Sequence, residues 1–495
     1  SMIIHLLNPY ILFIRLFFIY SMDEISGYFE VKEDPILSNP DIDKLFKDIS
    51  CLDCFHEQIL SEDANEILSI PGDYVIKINV KSDGKKEIRL CIYDTYDVIE
   101  IPLRGKWYEK DKKYTLTFDG RVRSSSIIRL LEKHNDREIA LKDGKKILLM
   151  RPIGRQKWEL KRNEITTSKK IGEGEFGEIM KGSYTKRSGK ILDVAVKIFK
   201  RTDDKEKNQK AINDLHQEGA IMRKLKHVNV VRSYGMVLEM DSIMLVMELV
   251  SGGGLNDYLY KNKGKVSIKD KAHYCHDIAS GLAYIHTLGL IHRDIALRNV
   301  LLDTVKNMAK LSDFGLTRKI EKYTVTANDK IPARWMAPEV LLKREYTKAS
   351  DVYSFSIALW EIFSDGTVLP FHHLNNQDIR TGLLHPLFRP AFPRYTPDEI
   401  VTMAEQCWKG DPKERPNLVD CIESDDYLGK FSRIDRNEEE RKSKSKNHHK
   451  KDKKKKVDNG RSKTSSMNTV SHSGNTSRSE SKKSYDRRKK KTTNI

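Results

Sequence analysis

A chain of 495 residues with 38% hydrophobic content has room for two or three domains with real cores, at roughly 100 to 200 residues each. Its net charge of +18 suggests a nucleic-acid binder until it is divided: the segment from Lys430 onward carries +15, from 23 Lys and Arg against 8 Asp and Glu, and leaves only +3 for everything before it. Six cysteines, of which only Cys51 and Cys54 lie close together, exclude a disulfide framework and fit a reducing compartment, and without a second pair or a His at ligand spacing they do not make a zinc site.

Residues Met2 to Tyr20 are almost continuously apolar, near the minimum of about 20 residues for a bilayer-crossing helix. Asn8, Pro9 and Arg15 interrupt the run, and neither a basic leading region nor a small-residue cleavage site marks a signal peptide. Three readings stay open for this N-terminal extension (1–52): a segment of no consequence, a membrane or interface anchor, or a packing segment.

From 53 to 152 the pattern predicts a helix over Ser61 to Leu68, strands over Tyr74 to Val80, Ile88 to Tyr93 and Val98 to Leu103, and a second helix over Ser125 to His134. The order and size resemble an SH2 domain, an α/β sandwich. Gly72-Asp73-Tyr74-Val75-Ile76-Lys77 stands where that family carries Gly-Asp-Phe-Leu-Val-Arg. Its phosphate-gripping Arg is here Lys77, a point charge without the bidentate fork of a guanidinium. Ser61 replaces a second Arg, and no His stands near Val98, where the family touches phosphotyrosine. The resemblance implies either a weakened phosphotyrosine reader centred on Lys77 or a fold kept for docking onto the next domain.

A linker (153–164) leads into the segment 165–428. Ile171-Gly172-Glu173-Gly174-Glu175-Phe176-Gly177-Glu178-Ile179, followed by Val194-Ala195-Val196-Lys197, predicts a glycine hairpin whose backbone can approach phosphates, with a Lys to neutralise them. The absence of Gly-Lys-Ser/Thr argues against a P-loop. On the following helix Leu215, Glu218, Met222 and Leu225 share one face, which turns Glu218 inward and demands a cation; Lys197 is the candidate. Ile243 to Met247 reads as an apolar strand, and Ala272, Cys275, Ile278, Ala279, Leu282 and Ile285 as a buried helix closed by Gly289.

That helix delivers His292-Arg293-Asp294-Ile295-Ala296-Leu297-Arg298-Asn299, and Asp313-Phe314-Gly315 begins nineteen residues after Asp294. This set is the protein-kinase signature. With Trp158-Glu159-Leu160 at the junction, the chain resembles a cytoplasmic protein tyrosine kinase of the Fes/Fer type over roughly residues 54 to 428: an SH2 domain and then a two-lobed kinase fold, β-rich and then helical, within an α+β multidomain chain.

The resemblance implies ATP and Mg²⁺, with Mn²⁺ as an alternative ion. It places Ile171, Gly172, Glu173, Gly174, Phe176, Gly177 and Ile179 over the nucleotide, with Ala195, Lys197, Met247 as gate, the backbone of Glu248 and Val250, and Leu301 as floor. Asp294 is the implied base, supported by Arg298, Lys197 and Glu218, and Asn299 and Asp313 are the metal ligands. Ala296 stands where Ser/Thr kinases carry Lys, and Arg298 and Pro332 to Glu339 follow the tyrosine-kinase pattern, so proteins with tyrosine are the expected substrates. Tyr323 is the implied phosphorylation site, with Arg293 to receive its phosphate. Glu339 with Arg415 resembles a buried ion pair, and Asp351 an anchor for the catalytic loop. A pseudokinase scaffold and a Ser/Thr kinase are the competing readings.

From 429 on, Lys, Arg, Ser, Thr and Asn dominate, a composition of disorder. The runs Lys453 to Lys456 and Arg487 to Lys491 suit anionic membrane, nucleic acid or an import receptor, or no partner at all. The expected location is cytoplasmic, with membrane association as an option.

Overall fold

The computed structural model describes residues 34–431, apart from 82, 142, 175–176, 200–201, 241, 327–331, 384, 386 and 430. The apolar run 2–20, Phe176 and nearly all of the basic tail lie outside the described residues. Among the described residues no helix is long and apolar enough to cross a membrane.

The N-terminal module is built on a sheet in the order Val98–Pro102, Lys86–Tyr93, Asp73–Val80, Arg151–Pro152. Period-2 alternation splits the central strand between two cores. Tyr74, Ile76 and Ile78 face one core with Ile88, Leu90 and the helix Ile127–Lys133, while Val75 and Cys91 face the other with Ala64 of the helix Ser61–Ile67. Lys77 shares the parity of Val75 and so points toward the Ser61–Ile67 side.

The module begins before residue 53. A helix over Asn39–Ser50, with Pro40 in its first turn, buries Ile42, Leu45 and Ile49 in the same core as the sheet. Each such side chain contributes about 1.5 to 3 kcal/mol when fully buried, so this helix belongs to the fold of the module. The i, i+3, i+7 spacing of Ile42, Leu45 and Ile49 is the sequence signal of this helix, which lies within the residues expected to form the N-terminal extension (1–52).

Glu159–Leu160 runs parallel to Ser233–Glu239 as the last strand of a six-stranded sheet. Gly235 makes that docking feasible: its φ is +144°, and a Cβ there would lie 2.1 Å from the Trp158 carbonyl oxygen. The other strands are Ile165–Gly174, Gly177–Thr185, Ile191–Phe199 and Ser242–Glu248, with the helix Lys205–Met222 packed against them. Asp204 caps that helix by accepting from the Lys207 N–H.

The second lobe is helical. Ile268–Thr287, capped by Ser267, and Lys348–Phe363, buried from Ser350 to Phe363, form its centre, and Asp398–Cys407 and Leu418–Glu423 pack against them. Tyr353 and Ser356 of the central helix are fully buried, and Ser356 Oγ donates to the Tyr353 carbonyl.

Candidate active site

The glycine hairpin forms as expected, Gly174 opposing Gly177 and Gly172 opposing Ile179. A Cβ at Gly177 would come within 2.0 Å of the Ile198 carbonyl oxygen, whereas at Gly172 it would meet Ile179 at an ordinary distance. Gly177 is therefore required by the packing of the sheet itself.

Strand register then places Ala195 opposite Met247 and Lys197 opposite Leu245. The Lys197 ammonium lies 2.7 Å from Glu218 and 3.6 Å from Asp313. Burial pushes the Glu218 carboxyl up, against the pull of Lys197, and Lys197 is held above the ordinary lysine value despite its own burial, by Glu218 and Asp313. The 2.7 Å contact, with the Phe314 N–H also directed at Glu218, favours the ion pair.

The catalytic loop hangs from buried Asp351, which accepts the N–H groups of His292 (2.8 Å) and Arg293 (2.9 Å) and lies 3.0 Å from His286 Nε2. Arg293 and Asp313 both adopt positive φ, +71° and +59°, strained values for non-glycine residues; the Asp351 anchor holds the first of them through the Arg293 N–H. Asn299 Nδ2 donates to the Asp294 carbonyl (2.8 Å) and to its carboxylate (2.6 Å). Arg298 pairs with the other carboxylate oxygen, and its guanidinium lies 4.4 Å from the Trp335 ring centroid.

With its NH₂ committed to Asp294, Asn299 has its amide oxygen for a hard cation. Asp313, half exposed, adds a carboxylate, and this oxygen donor set suits Mg²⁺, which retains waters and completes its shell from phosphates.

At the end of the strand Ser242–Glu248 the Glu248 N–H donates to the Arg232 carbonyl (2.9 Å). Met247 is buried and Leu301 partly buried, with Leu301 bridging to Gly254. Tyr323, in the short strand Lys322–Thr324, has its ring centroid 3.4 Å from the Arg293 guanidinium. Arg415 holds Glu339 bidentately, 2.8 Å each way.

Sequence reasoning missed Glu361. Its Oε2 accepts the Leu297 N–H and the Trp335 Nε1–H, both at 2.9 Å, joining the catalytic loop to the Pro332–Glu339 segment. A lone carboxylate inside the apolar run Ile357 to Phe363 was the available signal.

Lys77 does not join this site. It is buried in the N-terminal module, 2.6 Å from Glu100 and 2.9 Å from Ser61 Oγ.

A two-lobed fold with a lysine–glutamate pair, a held aspartate and an Asp-Phe-Gly aspartate across one cleft defines a protein kinase. Residues 165–424 match the family model described as protein tyrosine and serine/threonine kinase. The chain is 32% identical over 402 residues to the tyrosine-protein kinase transforming protein Fps of avian sarcoma virus (strain PRCII), 80% of this chain and 71% of that one. It is 31% identical over 372 residues to tyrosine-protein kinase Fer of Rattus norvegicus, 74% of this chain but only 43% of Fer. A serine/threonine-protein kinase, STY17 of Arabidopsis thaliana, is 32% identical over 270 residues, 54% of this chain and 45% of its own. The chain belongs to the Fps/Fer tyrosine kinases, and its catalytic domain is that of an ATP-dependent protein tyrosine kinase.

Proposed function

We propose that the residues assembled around Asp294 carry phosphoryl transfer from ATP to protein tyrosine in the following roles. Asp294, oriented by Arg298 and Asn299, accepts the proton of the tyrosyl hydroxyl as its oxygen forms a bond to the γ-phosphorus and the bond to the β-γ bridging oxygen breaks, releasing ADP. Lys197, fixed by Glu218, neutralises the α- and β-phosphates. Asn299 and Asp313 hold Mg²⁺ or Mn²⁺, which supplies charge neutralisation at the phosphates. The glycine hairpin covers the nucleotide, and the Glu248 carbonyl with the Val250 backbone meets the adenine edge between Met247 and Leu301.

The observation that carries this reading is the Asp294 carboxylate, fixed from both sides in a cleft that also contains the Lys197–Glu218 pair. Asp294→Asn removes the proton acceptor and keeps the shape. Tyrosine phosphorylation of an acidic tyrosine copolymer is expected to fall at least 10²-fold, on the order of what a positioned general base supplies, while ATP binding persists. Equal turnover in variant and parent would refute the assignment. Tyrosine preference is supported by Ala296 and by the Arg298–Trp335 stack; phosphate mapped by mass spectrometry only to Ser or Thr would restore the competing class.

Partners and place are proposed more coarsely. Protein substrates bearing tyrosine follow from the chemistry, phosphotyrosine proteins are assigned to the Lys77 region, and anionic membrane or nucleic acid to the basic tail. A cytoplasmic location is supported by six free cysteines, five of them buried, Cys54 and Cys91 in the N-terminal module and Cys275, Cys407 and Cys421 in the catalytic domain.

A further inference from the structure

The turn 94–97, between the strands Lys86–Tyr93 and Val98–Pro102 of the N-terminal module, is held by hydrogen bonds that leave Tyr96 out. Tyr93 pairs with Val98, and the Asp94 N–H donates to the Asp97 carbonyl (2.8 Å). The Asp94 and Asp97 carboxylates accept the N–H groups of Thr95 (2.7 Å) and Val98 (2.8 Å). Tyr96 itself is 88% exposed, more than any other large apolar or aromatic side chain among the described residues. An aromatic ring stabilises a fold by being buried, and this one is not. The other well-exposed tyrosines are placed differently. Tyr260 lies in the helix Leu255–Lys261 and Tyr108 in the strand Arg104–Tyr108, with Lys106 over its ring, and Tyr395 gives its hydroxyl to the Phe363 carbonyl.

We propose that Tyr96 is a phosphorylation site of this kinase, modified by the catalytic domain of a second copy of the chain. The step is the one assigned to the residues around Asp294, and the site rests on that reading. The Tyr96 hydroxyl oxygen bonds to the γ-phosphorus of ATP, the bond to the β-γ bridging oxygen breaks, ADP leaves, and Asp294 of the second copy takes the proton. Tyr96 does not reach the cleft of its own chain: a turn of four residues pinned at both ends keeps it where it is, in solvent. Charge favours the encounter. Asp94 and Asp97 flank Tyr96, and the receiving cleft presents Arg298, 38% exposed, beside Arg334. The Arg334 guanidinium donates to the carbonyls of Pro370, Phe371 and Leu374 and has no carboxylate partner among the described residues. Opposite charges on two such surfaces speed and orient their meeting. The product brings a charge near −2 beside Lys145, which stands 3.1 Å from Asp94. Lys145 is held above its ordinary value chiefly by its hydrogen bond to Asp94, and more weakly by Asp143 and Tyr96, so it is placed to answer part of the added charge.

The test mixes two full chains with ATP and Mg²⁺, unlabelled parent as donor and heavy-isotope-labelled Asp294→Asn as acceptor, and maps phosphate by peptide mass spectrometry. The labelled acceptor is expected to gain phosphate on the peptide that contains Tyr96. The same acceptor carrying Tyr96→Phe should lose that phosphate while its thermal melt stays unchanged. An acidic tyrosine copolymer in a parallel reaction reports the activity of the donor. A donor active on the copolymer that leaves Tyr96 unmodified overturns the site and spares the catalytic reading, whereas a donor inactive on the copolymer overturns both. Phosphate on Tyr96 of the parent with none on the labelled acceptor overturns the transfer between copies. Asp94→Asn with Asp97→Asn in the acceptor keeps side-chain oxygens for the Thr95 and Val98 N–H groups. It should slow modification of Tyr96 on the order of threefold at low salt, the scale of an exposed charge pair, and an unchanged rate overturns the part given to charge.

Discussion

Glu361 shows how one buried carboxylate couples two motifs. It is fully enclosed in the helix Lys348–Phe363, and burial pushes its carboxyl up to about 7; the Trp335 and Leu297 hydrogen bonds and the Arg298 charge oppose that rise, and Asp294 adds to it. An unfolded Glu titrates near 4.3. The folded state therefore holds the proton more tightly, and stability is fully present below about pH 4 and declines as pH rises toward 7, by about 4 kcal/mol in all at 1.36 kcal/mol per unit. Glu361→Gln, whose amide oxygen can still accept from Leu297 and Trp335, removes this slope. Denaturant melts should show the variant gaining on the parent between pH 5 and pH 8; parallel pH profiles would rule the linkage out. Glu361 and Glu100 escaped sequence reading for the same reason. The first meets Leu297 across 64 residues and the second meets Lys77 across 23, and no local spacing encodes either. Asp294, Asn299 and Asp313 were legible because their chemistry is confined to two short loops.

At the scale of elements, the strand Lys322–Thr324 pairs with Glu345–Thr347, Tyr323 opposite Tyr346, and lays the Tyr323 ring on Arg293. The loop that carries the implied phosphorylation site is thus already tied to the catalytic loop, through a cation–π contact worth about 0.5 to 2 kcal/mol. A phosphate on Tyr323 would exchange that contact for a charge-assisted bond to the same guanidinium. Tyr323→Phe keeps the ring and removes the phosphorylation site. Its activity before incubation with ATP should match that of the unphosphorylated parent, and the rise on incubation should be lost; a variant that still activates places the regulatory phosphate elsewhere. The longer elements were readable in advance. Tyr74 to Val80 and Ile88 to Tyr93 alternate with period 2 and form strands over Asp73–Val80 and Lys86–Tyr93, and the face Leu215, Glu218, Met222 turned Glu218 inward. Strands as short as Lys322–Thr324 exist only because a partner segment lies beside them, and their own residues show no period.

Across the whole molecule, the N-terminal module meets the helix that carries Glu218. Arg223 closes that helix with its guanidinium 2.6 Å from Asp63, paired also with Glu66 and 4.3 Å from the Trp158 ring centroid. Lys224 pairs with Glu66 as well, Gln58 donates to the Glu239 carbonyl, and the Met240 N–H donates to Glu57. Behind them His56 is enclosed between the Glu159 carboxylate (2.8 Å) and the Ile153 carbonyl (2.8 Å). Asp63 is 3% exposed, and burial raises its carboxyl against the pull of Arg223, so the pair is a desolvated one in which removing one partner costs more than removing both. Arg223→Ala should lower stability by about 3 kcal/mol, the order found for an orphaned buried charge, and should lower kcat as the helix loses its fixed end. Arg223→Met with Asp63→Asn should recover most of the stability, because no uncompensated charge is left. Activity then separates two roles for the contact. If kcat stays low in the stable double variant, the module positions Glu218 against Lys197 through this contact; if kcat returns with stability, the contact only holds the two parts of the chain together.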